Sequence, residues 1–192
     1  MRFVSIVLLC VVAVLESCGN DINNTVSGDS PARDTIAATS DLDSVATGKL
    51  ITVLDRYCSL KEDITYPTGP RAKSPADLLA ATHELMGYLR ADSSADHEIL
   101  ACLDTISNEA TAINNLYDET GERKRIHFGV ISSALYGLLK KVDLKNVTIY
   151  RMYSNNAFND KGAYWLSSDI EIRNPYFGKK LLEQGEIVDT LK

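Results

Sequence analysis

Four segments with helical periodicity constrain the fold of this 192-residue chain more than any other feature. They span about residues 42–62, a stretch that starts at Ser74, and about residues 94–117 and 121–142. In each segment apolar residues recur every three or four positions, which predicts an amphipathic helix that buries one face. The four apolar stripes are Leu50, Val53, Leu54, Tyr57 and Cys58; Leu78, Leu85, Met86 and Leu89; Ile99, Cys102, Leu103, Ile106, Ala110, Ile113 and Leu116; and Phe128, Ile131, Leu135 and Leu138.

Local signals mark the ends of these helices. Ser74-Pro75 is typical of a helix start, and Lys140-Lys141 has the charge favoured at a helix C-terminus. The connections are mostly short and contain Gly, Pro or small polar residues. Four helices with short connections predict a mainly α protein built as an up-down four-helix bundle.

The periodicity changes after Lys145. Residues 147–153 and 186–191 alternate in the manner of strands, and we expect them to pair as a small two-stranded β-ribbon on the bundle. Between them, residues 162–178 hold the only Trp of the chain, at spacings too irregular for one helix. The sequence therefore predicts a single domain over 41–192 whose C-terminal part, about 146–192, forms a cap with the aromatic run between its two strands.

Several residues of this cap are candidates for packing or binding. Ser168 and Glu171 form a capping-box pattern, which predicts one helical turn starting near Ser168. Trp165 and Tyr176 would each bury a large area, and Arg173 would stack on a ring or bind a carboxylate. A structural clasp is the simplest interpretation, since aromatic clusters with an Arg are more often packing than binding sites.

The N-terminus resembles a bacterial lipoprotein signal. The apolar run ends at Leu15 and is far shorter than the ~20 residues of a membrane-spanning helix. Leu15 stands three residues before Cys18, with Ser17 directly before it, so we expect cleavage after residue 17 and lipid on Cys18. An ordinary secretory signal and an uncleaved anchor are the alternatives. By resemblance to known sorting, Gly19 favours the outer membrane over the inner one.

Composition and net charge indicate a tether, the kind of partner and the number of thiols. Residues 18–40 are polar and rich in turn formers, which predicts a disordered tether between lipid and domain. A net charge of −6 without a long Lys/Arg run argues against nucleic acid as a partner. After loss of the signal and lipidation of Cys18, only Cys58 and Cys102 remain as thiols, either paired or free.

Several motifs of the folded part resemble those of a known family. They are the runs at 162–166, 171–178 and 185–188, with 54–57 and 125–128 and Ser132 upstream. The C-terminal runs look like the signature of the bacterial domain of unknown function numbered 3347, and the upstream segments resemble the first and last helices of the same family, over roughly 45–192. The resemblance implies an extracytoplasmic protein, alone or fused to adaptors of copper and other heavy-metal efflux systems.

The resemblance also implies a soft metal site that this chain lacks. The family has Cys-Pro-Met-Ala where this chain has Ser154-Asn155-Asn156-Ala157, and a Cys where this chain has Gln184. Sulfur donors suit Cu(I), whereas hydroxyl and amide groups do not. We therefore expect a metal-free site, without cofactor, formed by Ser154, Asn156, Trp165, Arg173, Asn174, Tyr176 and Gln184.

Other combinations of residues give weaker evidence for a catalytic or metal site. No nucleophile elbow, phosphate loop or zinc-protease motif is present in the sequence, so we do not expect an enzyme.

The first hypothesis is a lipid-anchored periplasmic binding or adaptor module, with an envelope or efflux-system protein as a possible partner. The alternative is a copper or heavy-metal binding protein that uses His127 and Met152 with Cys58 or Cys102. We interpret His97 as a solvated residue and find no helical metal spacing for His83.

Overall fold

A computed structural model of the protein describes residues 37–66, 73–92, 95–118 and 120–192, apart from the side chain of Lys179. Four helices account for most of these residues. The helices are α1 (Ser44–Thr65), α2 (Ser74–Arg90), α3 (His97–Asn115) and α4 (Glu122–Lys141). Consecutive helices contact each other along the chain, and α1 also contacts α4. The prediction of four helices is confirmed, with ends within about three residues of those expected from periodicity.

The helix starts are set by short-range chemistry. Asp43 accepts hydrogen bonds from the backbone N–H groups of Val45 at 2.8 Å and Ala46 at 2.9 Å at the start of α1. Asp96 accepts one from the N–H of Glu98 at 2.7 Å at the start of α3. These carboxylates satisfy donors that have no partner inside the helix. Before α4 the chain turns at Gly121, whose φ of 73° suits a glycine.

The C-terminal part forms a three-stranded antiparallel sheet, so the prediction of a two-stranded ribbon is wrong. Its strands are β1 (Ile149–Ser154), β2 (Ala163–Ser167) and β3 (Glu186–Leu191), in the order β2-β1-β3. Residues 163–167, which we assigned to the aromatic cap, pair with β1. Gly162, with a φ of 75°, leads the chain back into β2 and makes this pairing possible.

The short helical turn expected at Ser168 is also absent, and bends occupy residues 168–171. The hydroxyl of Ser167, not that of Ser168, accepts a bond from the N–H of Asp169, at 3.1 Å. Asp169 in turn accepts from the N–H of Glu171 at 3.1 Å. Side chains that bond the backbone two residues on stabilise turns, and here they replace the capping box.

The core is continuous between helices and sheet. Tyr57 of α1 stacks on Phe128 of α4 with ring centroids 5.2 Å apart, and β2 contacts α4. The Leu166 N–H donates to the Tyr57 hydroxyl at 2.9 Å, and that hydroxyl is 2.8 Å from Ser132 Oγ. Because Ser132 donates to the Phe128 carbonyl, the Tyr57 hydroxyl donates to Ser132. This buried chain of hydrogen bonds ties β2 to α1 and α4.

The folded part starts upstream of residue 41. Thr39 pairs with Lys145 through two backbone hydrogen bonds of 3.2 and 2.8 Å, just after α4. The end of the predicted tether therefore contacts the domain. The predicted signal peptide, Cys18 and the tether up to residue 36 lie outside the described residues. In the described chain, no helix combines the length and apolarity that crossing a membrane requires.

Candidate functional site

The candidate site is centred on a hydrogen bond between Ser154 and Gln184. Ser154 is the last residue of β1 and is buried, whereas Gln184 lies two residues before β3. The Ser154 hydroxyl donates to the side-chain oxygen of Gln184 at 2.6 Å, and the Gln184 amide nitrogen donates to Asn155 Oδ1 at 2.7 Å. The β1–β3 pairing thus brings together two positions at which the resemblance places sulfur donors.

Asn174 holds the loop before β3 against this pair. Its side-chain nitrogen donates to the Gln184 carbonyl at 2.6 Å and to the Gln184 side-chain oxygen at 3.1 Å. Its side-chain oxygen accepts from the N–H of Tyr176 at 2.8 Å, and its own N–H donates to the Leu182 carbonyl at 2.7 Å. Asn174 is completely buried. Its amide therefore satisfies backbone groups that would otherwise be buried without partners.

Aromatic rings form the inner wall of the site. Trp165 is completely buried and meets Tyr176 edge-on, with ring centroids 6.0 Å apart. The Tyr176 hydroxyl donates to the Tyr164 carbonyl, and burial raises the pKa of Tyr176 above its usual range. Phe158 also meets Tyr176 edge-on, with ring centroids 5.2 Å apart. These contacts match the structural clasp expected from the sequence.

Gly185 allows the loop to approach the Trp165 ring. A Cβ at Gly185 would lie 2.7 Å from Trp165 Cη2 and 2.9 Å from the Tyr153 carbonyl oxygen. Its φ of 146° is also rarely adopted by residues with side chains. Only glycine fits between Gln184 and β3 without displacing the indole.

Two predicted site residues lie outside this network. Arg173 binds Glu171 at 2.7 Å on the surface, so its carboxylate partner is local and it stacks on no ring in the described chain. Asn156 is exposed, and the amide that reaches Gln184 is that of its neighbour Asn155. The structure therefore joins Ser154, Asn174 and Gln184 beside Trp165 and Tyr176.

The arginine that does stack on rings is Arg151, which the sequence analysis did not single out. Its guanidinium carbon lies 4.1 Å from the ring centroid of Tyr136 and 4.0 Å from that of Tyr164. The Tyr136 hydroxyl donates to Asp189, and this bond lowers the pKa of Asp189 and raises that of Tyr136. The alternation of β1 places Arg151 on a face, but only the sheet pairing and α4 reveal its neighbours.

An open cleft lies at the same corner of the sheet. Its cavity volume is about 240 Å³, and it is lined by Tyr153, Asn155, Gln184, Gly185 and Glu186. Of these five residues, only Gln184 was among the site residues predicted from the sequence. Tyr153 and Glu186 are a cross-strand pair, which is visible only once the register is known.

Two histidines, His127 of the alternative metal site and His83, bond other side chains. His127 Nδ1 lies 2.6 Å from Glu109 Oε2, and His83 Nε2 lies 2.8 Å from Ser107 Oγ. Met152 is completely buried in the core, and Cys58 and Cys102 are free thiols. Burial raises the pKa of both thiols. Within the ranges that the structure describes, no three His, Cys, Asp or Glu side chains are grouped for a metal ion.

The ammonium group of Lys61 in α1 lies beside the hydroxyl of Ser167 in β2. Lys61 Nζ lies 3.2 Å from Ser167 Oγ and 3.2 Å from Glu62 Oε1. A nucleophile beside a basic group is a pattern of covalent catalysis. Here Ser167 is only 1% exposed, and its hydroxyl already accepts from the N–H of Asp169. A substrate would have no access to this hydroxyl in the observed conformation.

The hydroxyl and amide groups of the site are suited to hydrogen bonding with a polar ligand, and they are hard donors for a metal. No protein-family model, no curated protein and no solved structure matches this chain. The resemblance to the domain of unknown function described above therefore stays a prediction.

Proposed function

We propose that this protein is a non-enzymatic, lipid-anchored binding or adaptor module on the periplasmic side of a Gram-negative envelope. One observation carries the proposal: the Ser154 hydroxyl and the Asn174 and Gln184 amides form a closed network where the resemblance places sulfur ligands. A network whose members satisfy one another has no vacant soft donor for Cu(I). The module is then a binding protein whose ancestral metal site has become a structural and polar one.

The anchor part of the proposal rests on the sequence around Cys18. Each buried methylene of an acyl chain contributes ~0.8 kcal/mol, so several chains on one cysteine would hold the protein firmly at a membrane. We infer an outer-membrane location from Gly19 and an envelope or efflux-system protein as the partner.

We also propose an up-down antiparallel bundle for the four helices. Contacts between consecutive helices and between α1 and α4 support this arrangement, as does the short chain between α3 and α4. The sheet packs on this bundle through contacts between β2 and α4.

Copper titration tests the loss of the metal site. The full-length protein, purified in detergent, is titrated with Cu(I) and separately with Zn(II) against a competing chelator. We expect no binding at micromolar or tighter affinity. The double variant S154C/Q184C serves as the positive control, because its two thiols would replace two side chains now 2.6 Å apart.

Tight copper binding by the unmodified protein that is lost in His127→Ala or Met152→Ala would overturn the proposal in favour of a metal-binding protein.

The anchor is tested by expression in a Gram-negative host with radiolabelled palmitate. Label and membrane association should both disappear in Cys18→Ser. A cytosolic protein that retains residues 1–17 would exclude the envelope location.

A further inference from the structure

The outer side of α4 carries an exposed row of uncharged residues. Ile126 is 50% exposed and Val130 is 41% exposed, and Ser133 and Gly137 continue the same exposed row, which we call the α4 face. Their spacing of four, three and four positions is that of a seam between two packed helices. From residue 126 to residue 139 the helix has no Asp, Glu, Lys or Arg. Because exposed helix faces normally carry charged residues, the α4 face is suited to packing against another surface.

The glycine of the α4 face has no explanation within its own chain. A Cβ at Gly137 would meet no atom within 4 Å, although a glycine inside a helix costs about 0.5–1 kcal/mol relative to alanine. Gly48 in α1 and Gly87 in α2 are equally open, so an open glycine alone indicates no partner. Gly137 differs because it is about three helical turns from Ile126 and lies in line with it on the α4 face.

Large and small residues occupy opposite halves of the α4 face. Ile126 and Val130 are in its N-terminal half, and Ser133 and Gly137 are in its C-terminal half. In an antiparallel pair of α4 helices, with a twofold axis at the centre of the face, Ile126 of each copy lies opposite Gly137 of the other. Val130 then lies opposite Ser133. The face is therefore complementary in shape to itself, as an interface with twofold symmetry requires.

The charges at the two ends of the face are complementary as well. Glu122 and Lys140 are about five helical turns apart, so they lie on the same side of α4 and cannot meet within one chain. Both are exposed, and neither belongs to an ion pair between described residues. In the antiparallel pair, Glu122 of each copy lies beside Lys140 of the other. Opposite charges thus meet at both ends of the contact.

The other end charges of α4 are directed to α3 of the same chain. Arg123 donates to the Tyr117 carbonyl, just after α3, at 2.9 Å. Lys141 forms ion pairs with Asp96 at 3.2 Å and Glu98 at 2.6 Å, at the start of α3. These contacts keep Arg123 and Lys141 from repelling each other across the antiparallel pair.

We propose that the α4 face binds a second copy of this protein, with the two α4 helices antiparallel about a twofold axis. This inference goes beyond the proposed function and does not depend on it. One helix face buries less area than the roughly 1,200–2,000 Å² of a stable interface, so we expect a reversible dimer with a Kd on the order of 10–100 µM.

Sedimentation equilibrium measures this dimer, with the full-length protein at about 5–500 µM in a density-matched neutral detergent. Gly137→Leu fills the space opposite Ile126 and should raise the Kd at least about tenfold. Gly87→Leu, at an open glycine outside the α4 face, is the matched control and should change the Kd less than about twofold. Circular dichroism checks that both variants keep the native helix content.

Exchange of the two end charges tests the antiparallel arrangement. Glu122→Lys and Lys140→Glu should each raise the Kd about five- to tenfold, because like charges then meet at both ends of the contact. The double variant restores opposite charges between the copies, and its Kd should return to within about twofold of the native value. Because the two side chains are about 27 Å apart along one helix, this rescue requires a contact between two chains.

The proposal is overturned if the protein stays monomeric up to about 500 µM, which would leave a helix of another protein as the occupant of the α4 face. Equal Kd values for Gly137→Leu and Gly87→Leu would also overturn it. The same holds for a double charge variant that dimerises no better than the single variants. None of these outcomes bears on copper binding or on lipid at Cys18, so the proposed function is tested separately.

Discussion

Ser154 and Gln184, 30 residues apart in the chain, are joined by a side-chain hydrogen bond of 2.6 Å at the end of β1. The resemblance places thiols at both positions, and the fold brings them into contact. A pair of soft ligands there would face each other directly. In this chain the hydroxyl and amide groups at the two positions stabilise the loop before β3.

Removal of the Ser154 hydroxyl should have a modest effect. In Ser154→Ala the Gln184 oxygen keeps its bond from Asn174 at 3.1 Å, so no buried group loses its last partner. We expect the free energy of unfolding to fall by about 1 kcal/mol, the typical value of one hydrogen bond. Urea unfolding followed by circular dichroism measures it. A loss above about 3 kcal/mol would contradict this account.

Removal of the Asn174 amide should have a larger effect. Asn174→Ala leaves the Tyr176 N–H and the Gln184 carbonyl without their present partners. The free energy of unfolding should fall by about 2–4 kcal/mol because buried polar groups become unsatisfied. Asn114→Ala, at an exposed position of α3, is the control and should change it by less than about 0.5 kcal/mol. Equal effects of the two substitutions would refute the role given to Asn174.

The Tyr57 hydroxyl should contribute measurably to stability. Tyr57→Phe removes the acceptor of the Leu166 N–H and the donor to Ser132, both in the core. We expect a loss of about 1–3 kcal/mol in urea unfolding. Tyr88→Phe is the matched control, because its hydroxyl binds Asp43 at the surface, at 3.1 Å. Its effect should stay below about 1 kcal/mol, and a larger one than that of Tyr57→Phe would be inconsistent with the buried network.

Glycine-to-alanine substitutions should have opposite effects at two positions. Gly185→Ala places a Cβ 2.7 Å from Trp165 and should destabilise the protein by about 2 kcal/mol or more. Gly48→Ala, within α1, meets no atom within 4 Å and should stabilise it by about 0.5–1 kcal/mol. Thermal unfolding of both variants checks the signs, and the same sign for both would contradict the geometry.

The bond from Tyr136 to Asp189 predicts a pH dependence. This bond lowers the pKa of Asp189 in the folded protein. The bond therefore stabilises the protein fully above the unfolded pKa of about 3.9, and this contribution is lost as the pH falls through the lower folded pKa. The stability difference between the native protein and Tyr136→Phe should therefore be larger at pH 6 than at pH 2.5. Tyr150→Phe should show no such change, and neither variant should if the bond is absent in solution.

Helices were the most predictable part of the fold. Leu50, Val53 and Leu54 repeat at helical spacing, and the repeat is a local property that survives in any tertiary arrangement. The sheet was less predictable, because a strand is defined by its partner. Residues 163–167 are a short aromatic run, and nothing in their own sequence distinguishes a cap from a strand paired with β1.

The candidate site was predicted only in part. Ser154 and Gln184 were identified through motifs, whereas Asn155, Tyr153 and Glu186 were missed because their contacts depend on register. Arg173 was chosen for its aromatic surroundings in sequence, yet its guanidinium binds Glu171 two residues away. Arg151 stacks on rings from β2 and α4 that are distant in the chain.

The amino-acid sequence alone was enough to establish the four helices, the start of the β region after Lys145 and the absence of sulfur at positions 154 and 184. These features depend on residue identity and short-range periodicity, which need no knowledge of distant contacts. The folded structure was needed to show that β1 lies between two strands, that Ser154 bonds Gln184, and that Tyr153 pairs with Glu186 in the sheet. Such pairings depend on the strand register and on burial against the helices, which are properties of the whole folded chain.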